Sequence, residues 1–200
     1  ALRKKDIVLL AGDIGNKLFD DFKKNNPKRF YNCGVAEANM TGVASGLAAS
    51  GFRPITYTIT PFNTARCFEQ IRLDICYPNL PVIIVGTGSG LSYASLGSTH
   101  HSLEDISILR SIPNISILCP SDPNQVKVLL REALKKRGPV YIRLGKKNEP
   151  NFIERKNIGL MDQLVKGDMN CLINVGSILE NVSKAGKFLE KKKINYSLYD

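Results

Sequence analysis

Tryptophan is absent from the 200-residue sequence, and histidine occurs only twice, side by side at His100 and His101. Adjacent histidines on an extended segment point in opposite directions, and no third ligand stands at a suitable spacing, so a metal centre is not expected. The five cysteines, at positions 33, 67, 76, 119 and 171, are odd in number and form no Cys-x-x-Cys pair. They read as reduced thiols of a cytoplasmic protein, neither a disulfide frame nor a zinc site. No apolar run approaches the roughly 20 residues of a membrane span. The opening Ala1-Leu2-Arg3-Lys4-Lys5-Asp6 leads straight into a strand and carries no signal-peptide pattern. Acidic residues are outnumbered, 18 against 28 lysines and arginines, for a net charge of +10. A nucleic-acid surface needs a basic stripe interleaved with aromatics; the excess lies instead in scattered groups such as Lys23-Lys24, Lys135-Lys136-Arg137 and Lys191-Lys192-Lys193. Neither nucleic acid nor a membrane is expected as a partner.

What is present is the composition of a globular chain, 43% hydrophobic, and its hydrophobic runs alternate between two periods. Short strands are expected at Ile7–Leu10, Arg29–Asn32, Pro54–Thr58, Pro81–Val85, Ile115–Cys119 and Pro139–Arg143. Helices are expected between them: residues 16–24, 33–51, a stretch running through Ile75 after a loop around Pro61-Phe62, residues 103–111, and one opened by Ser121-Asp122-Pro123. Strand alternating with helix predicts an α/β fold, a doubly wound, mostly parallel sheet with helices on both faces. The pattern lapses after Leu144. Residues 1–146 are read as one domain, 147–168 as a linker, and 169–200 as the start of a second domain. That second unit stops after one strand–helix–strand passage and is read as truncated.

The helix at 33–51 is built almost entirely of small residues. Ala38, Gly42, Ser45 and Ala49 share one face, which predicts a close helix–helix contact. Its one ionisable side chain, Glu37, stands in the first turn among apolar neighbours. A first-turn acid is favoured by the helix dipole; with no cation beside it in sequence, burial would favour the neutral carboxyl. Gly86-Thr87-Gly88-Ser89-Gly90 follows a strand, yet it runs into a long polar loop, 86–102, and lacks the third glycine of a dinucleotide fingerprint. Ser89 is no nucleophile elbow, because Thr87 and Leu91 stand where glycines are required. Loops this long within a domain are usually functional.

Five motifs, in order and in register, carry a resemblance: Gly34-Val35-Ala36-Glu37-Ala38-Asn39-Met40-Thr41-Gly42; Arg66-Cys67-Phe68-Glu69-Gln70-Ile71-Arg72; Leu96-Gly97-Ser98-Thr99-His100-His101 through Glu104-Asp105; Ile112-Pro113-Asn114 with Pro120-Ser121-Asp122-Pro123; and Gly138 through Gly145. Together they resemble the pyrimidine-binding domain of the transketolase family, nearest to the C-terminal subunit of its two-chain members. Deoxyxylulose phosphate synthase and the β-subunit of pyruvate dehydrogenase are more distant relatives.

The resemblance implies a thiamine-diphosphate enzyme. Glu37 would hydrogen-bond the pyrimidine nitrogen N1′ and stabilise the imino tautomer, a role suited to a desolvated acid. Phe62 would stack on the pyrimidine, with Asp13 and Arg66 also near the cofactor; Asp13 reads equally well as a helix cap. Phe68 falls at core spacing with Ile71 and Ile75. His100 would be catalytic and touch the sugar, with His101 beside it, and Lys146 would hold a substrate anion as a point charge. Two departures weaken the usual pentose phosphates as substrates: Leu96 replaces an acid that reads a donor hydroxyl, and Gly88 stands near a phosphate-holding histidine position. The family's diphosphate and Mg²⁺ half, Gly-Asp-Gly with a downstream Asn, is missing here: Gly12-Asp13-Ile14 and Gly167-Asp168-Met169 both lack the second glycine. A diphosphate-binding partner subunit or domain is therefore expected, in a homodimer or heterotetramer. The expected reaction is transfer of a two-carbon ketol unit between sugar phosphates. Alternatives are a subunit of a deoxyxylulose phosphate synthase-like or 2-oxoacid dehydrogenase enzyme, or a non-catalytic assembly module.

Overall fold

The computed structural model describes residues 5–146, 149–152, 159 and 161–200. Its chain divides into two compact units, Ala1–Leu118 with Ala133–Lys146, and Cys119–Glu132 with Lys147–Asp200.

The first unit is a six-stranded parallel sheet in the order β2-β1-β3-β4-β6-β5, formed by β1 (Ile7–Ala11), β2 (Phe30–Asn32), β3 (Arg53–Ile59), β4 (Ile83–Thr87), β5 (Ser116–Leu118) and β6 (Val140–Arg143). Helices lie on both faces, as the alternation of elements predicted. Both faces are covered, which is why β1 and β4 are buried at every residue and read as unbroken apolar runs. On one face Val8, Leu10, Ile84 and Tyr141 meet Met40, Ala44 and Ala48 of α2 (Glu37–Ala49), together with Ile71, Ile75, Leu109 and Ile112. Phe68 packs against this cluster, in keeping with its expected core place.

Several boundaries differ from those expected. The first helix, α1, is only Asp20–Asn25, and Leu18 is exposed. The segment around Pro61-Phe62 is not a loop: Thr60–Asn63 makes a helical turn, α3, with proline in its first positions, where a missing N–H costs nothing. The long helix expected through Ile75 is broken into a 3₁₀ turn, Ala65–Cys67, one α turn, α4 (Phe68–Gln70), and a wide π turn, Ile71–Cys76. In that π turn and just beyond it, the N–H groups of Tyr77 and Leu80 reach back five residues to Arg72 and Ile75. The small-residue helix starts at Glu37 because Cys33 still extends the sheet, its N–H donating to the Ala11 carbonyl at 2.8 Å. Of the small face expected to make a close helix contact, Ser45 donates its hydroxyl to the Asp74 carbonyl in the π turn at 2.8 Å, whereas a Cβ at Gly42 would meet nothing within 4 Å among the described residues. A short helix, α5 (Asp105–Leu109), precedes β5.

The second unit contains α6 (Pro123–Ala133) and a three-stranded sheet in the order β7-β9-β8. Strands β8 (Asn170–Ile173) and β9 (Tyr196–Tyr199) are parallel and joined through α7 (Leu179–Lys191). Strand β7 (Gln163–Val165), antiparallel to β9, lies in the stretch read as a linker. Leu179, Val182 and Leu189 of α7 cover Tyr196 and Leu198. A side chain at Gly186 would overlap the Tyr196 ring.

Candidate functional site

Strand β1 has β2 on one side and β3 on the other, so the carboxyl ends of these strands mark the switch point at which a doubly wound sheet usually has its binding crevice. Gly12 and Asp13 follow β1, α3 follows β3, the loop 88–104 follows β4, and Lys146 stands just past β6. Gly12 has to be glycine: a Cβ would lie 2.9 Å from Thr58 and 3.5 Å from Cγ of Glu37. The Glu37 side chain thus lies close to this turn.

Glu37 is 1% exposed, and its Oε2 accepts a hydrogen bond from Nη1 of Arg66 at 2.7 Å. The cation that the sequence does not place beside Glu37 is supplied across 29 residues by tertiary structure. An isolated buried carboxyl, the sequence expectation, is thereby corrected. The guanidinium also lies over the Phe62 ring, 4.2 Å from its centroid. Phe62 meets the His100 imidazole edge to face at 5.1 Å, and His100 in turn meets Tyr93 at 5.8 Å. The Lys146 ammonium stands 4.3 Å from the centre of the Tyr93 ring. Glu37, Arg66, Phe62, His100, Tyr93 and Lys146 therefore form one continuous row, an acid at its buried end and a lysine at its exposed end.

Neighbouring groups feel the burial. The Cys67 thiol is pushed up by desolvation and, to a lesser degree, by Glu37, while the Thr41 hydroxyl and Arg66 oppose the rise. The phenols of Tyr57 and Tyr93 are raised, chiefly by burial. His100 is oriented by Thr99, whose Oγ1 is 2.9 Å from Nδ1. Two expected residues are not in the row. His101 turns back on its own loop, Nε2 lying 3.3 Å from the Ala94 carbonyl oxygen. Asp13 is exposed at the edge, its carboxylate accepting from Nδ2 of Asn32 at 2.9 Å; it caps no helix.

A second cluster fixes the loop that carries His100. Asp105, fully buried, accepts from the Tyr141 hydroxyl at 2.6 Å and from Nε of Arg143 at 2.8 Å. Gly90 and Ser102 pair through their backbones, and Gly88 and Ser89 donate to the carbonyls of Gly145 and Leu144. The loop is thus tied to the end of β6, two residues or fewer from Lys146. Sequence reasoning missed Tyr93, Tyr141 and Arg143. Only the length and polarity of 86–102 hinted at the first; the others lie in the Gly138–Gly145 motif, which by itself gave them no role. A separate concavity of about 420 Å³, between the π turn and Ser111–Pro113, includes none of these side chains. Among the described residues no group of three His, Cys, Asp or Glu could hold a metal ion, and no helix is long and apolar enough to cross a membrane.

A family model, the transketolase pyrimidine-binding domain, matches residues 1–151. An apulose-4-phosphate transketolase subunit from Actinobacillus succinogenes is 41% identical over 193 residues, covering 92% of this chain and 61% of that protein. A 1-deoxy-D-xylulose-5-phosphate synthase from Carboxydothermus hydrogenoformans is 34% identical over 185 residues, 90% of this chain and 29% of the enzyme. The solved structure of a split-gene transketolase, an inactive β4 tetramer, superposes with a TM-score of 0.87 at 34% identity, covering 98% of this chain and 64% of that one. The chain spans less than two thirds of the length of these relatives.

Proposed function

Since the chain belongs to the family of the transketolase pyrimidine-binding domain, we propose that it is the pyrimidine-binding part of a thiamine-diphosphate-dependent transketolase. It moves a two-carbon ketol unit between sugar substrates and acts only with a diphosphate-binding partner, in a homodimer or heterotetramer. The observation that carries this reading is Glu37, a carboxylate 1% exposed, lying close to Gly12 at the crevice and leading through Arg66 and Phe62 to His100.

The residues fit the pyrimidine half of the cofactor. A buried acid can exchange a proton with a ring nitrogen, and Phe62 offers an aromatic face beside it. The cofactor, when bound, supplies the carbon nucleophile. Arg66 pairs with Glu37 and, being half exposed, can move aside. His100 hydrogen-bonds the sugar, and Lys146 attracts an anionic end group. Asp13 and His101 stand outside this row and serve at its margins. Diphosphate and Mg²⁺ are assigned to the partner, because the Gly-Asp-Gly and Asn that hold them do not occur here. The reduced-thiol pattern supports a cytoplasmic setting.

The test is reconstitution with the diphosphate-binding subunit and an assay of ketol transfer. Glu37→Ala is expected to lower the rate by about 10²–10⁴-fold. Full activity in that variant would overturn the assignment, as would tight, Mg²⁺-dependent cofactor binding by this chain alone. The synthase relative motivates one control: turnover of pyruvate, with no transfer from ketoses, would favour a decarboxylating enzyme instead.

A further inference from the structure

The row of rings ends at Tyr93 and Lys146, and the backbone beneath Tyr93 accounts for its place. Gly88 leaves β4 with φ of +70°, a conformation that suits glycine. Its N–H donates to the Gly145 carbonyl at 3.1 Å, and the Ser89 N–H donates to that of Leu144 at 3.0 Å. The Thr87 hydroxyl adds a third bond, the second to the Gly145 carbonyl, at 3.1 Å. The exit of β4 is thereby fastened to the stretch that delivers Lys146. A Cβ at Gly88 would overlap the Tyr93 ring, so the ring occupies the volume that any side chain at position 88 would need.

The Tyr93 and His100 rings, tilted by 61° with centroids 5.8 Å apart, are at contact separation for an inclined pair and leave no channel between them. A carbon chain running from His100 toward Lys146 has to pass the Tyr93 ring. On the transketolase-type reading of this site, on which the inference rests, that path is the one the distal end of a donor sugar takes. We propose that Tyr93 is a specificity-determining residue: its ring shortens the substrate end of the site, which therefore favours ketol donors of tetrulose size or smaller over hexulose and heptulose phosphates.

The experiment compares erythrulose 4-phosphate and fructose 6-phosphate, which carry the same end group on chains of different length, as donors for the reconstituted complex, with kcat and KM measured separately for the wild type, Tyr93→Ala and Tyr93→Phe. The wild type is expected to favour erythrulose 4-phosphate in kcat/KM. Tyr93→Ala should raise the ratio of fructose 6-phosphate to erythrulose 4-phosphate by about tenfold or more, mainly through KM. Tyr93→Phe, which keeps the ring, should retain the wild-type ratio. An unchanged or falling ratio in Tyr93→Ala overturns the proposal while leaving the functional reading intact. A complex that transfers no ketol unit from any donor overturns both. A second measurement needs no activity: Gly88→Ala should lower the melting temperature by about 2–4 °C more in the wild type than in the Tyr93→Ala background. Equal losses in the two backgrounds would show that the ring does not fill the space over Gly88.

Discussion

Two arginine–carboxylate pairs in the first unit have nearly equal lengths, 2.7 Å for Arg66 with Glu37 and 2.8 Å for Arg143 with Asp105, and both carboxylates are buried. They differ in what surrounds the cation. The Arg143 side chain is 15% exposed, and Asp105 has a second donor in the Tyr141 hydroxyl. The Arg66 side chain is 47% exposed and rests on the Phe62 ring at the crevice. A sealed pair with a further buried partner cannot exchange with water without leaving a charge stranded, so it fixes the loop to β6. An open pair can trade its cation for another group at little loss. Access to solvent, not bond length, separates the sealed pair from the one proposed to serve the reaction.

The sharpest way to break this comparison is Asp105→Ala, which strands Arg143 in the interior. It is expected to cost about 3–5 kcal/mol in urea unfolding. Arg66→Met removes a half-exposed cation that is already partly hydrated, so a smaller loss than for Asp105→Ala is expected. Equal losses would mean that exposure does not distinguish the two. A smaller effect appears at high pH. Burial, and then the charge and hydrogen bond of Asp105, push the Tyr141 hydroxyl well above its ordinary value. The folded chain therefore keeps that proton while the unfolded chain loses it near pH 10. Stability is full below about pH 10 and falls by about 1.4 kcal/mol per unit above it. Tyr141→Phe should reduce that alkaline slope, measured from pH 9 to 11.5; an unchanged slope would deny Tyr141 its sealed place.

Much of the candidate site was legible before any coordinates. Glu37, Phe62, Arg66, His100 and Lys146 were named as candidates from the resemblance, and they stand in one row. Their links were not legible. Arg66 is 29 residues from its partner, and no local spacing announces an ion pair across β3. The helix expected through Ile75 gave the right apolar side but hid the π turn, because one extra residue per turn barely alters the pattern of buried positions. Ala38, Gly42, Ser45 and Ala49 were read as a close-packing face, yet only Ser45 is seen bonded to another helical turn, and a Cβ at Gly42 would meet nothing among the described residues. Small side chains permit close approach without specifying what approaches.

Periodicity alone was enough for the parallel α/β sheet, since strands buried on both faces must be continuously apolar and must alternate with helices that cover them. Residue type drew attention to Glu37, but the helix dipole alone accounts for an acid in a first turn, and the role proposed for it came from the resemblance. Folding settled the rest: which cation neutralises Glu37, that Asp105 locks the His100 loop, and that Tyr93 lies over Gly88. These depend on side chains distant in sequence arriving within a few ångströms, and that proximity is fixed by strand order and loop closure, which leave no local trace in the chain.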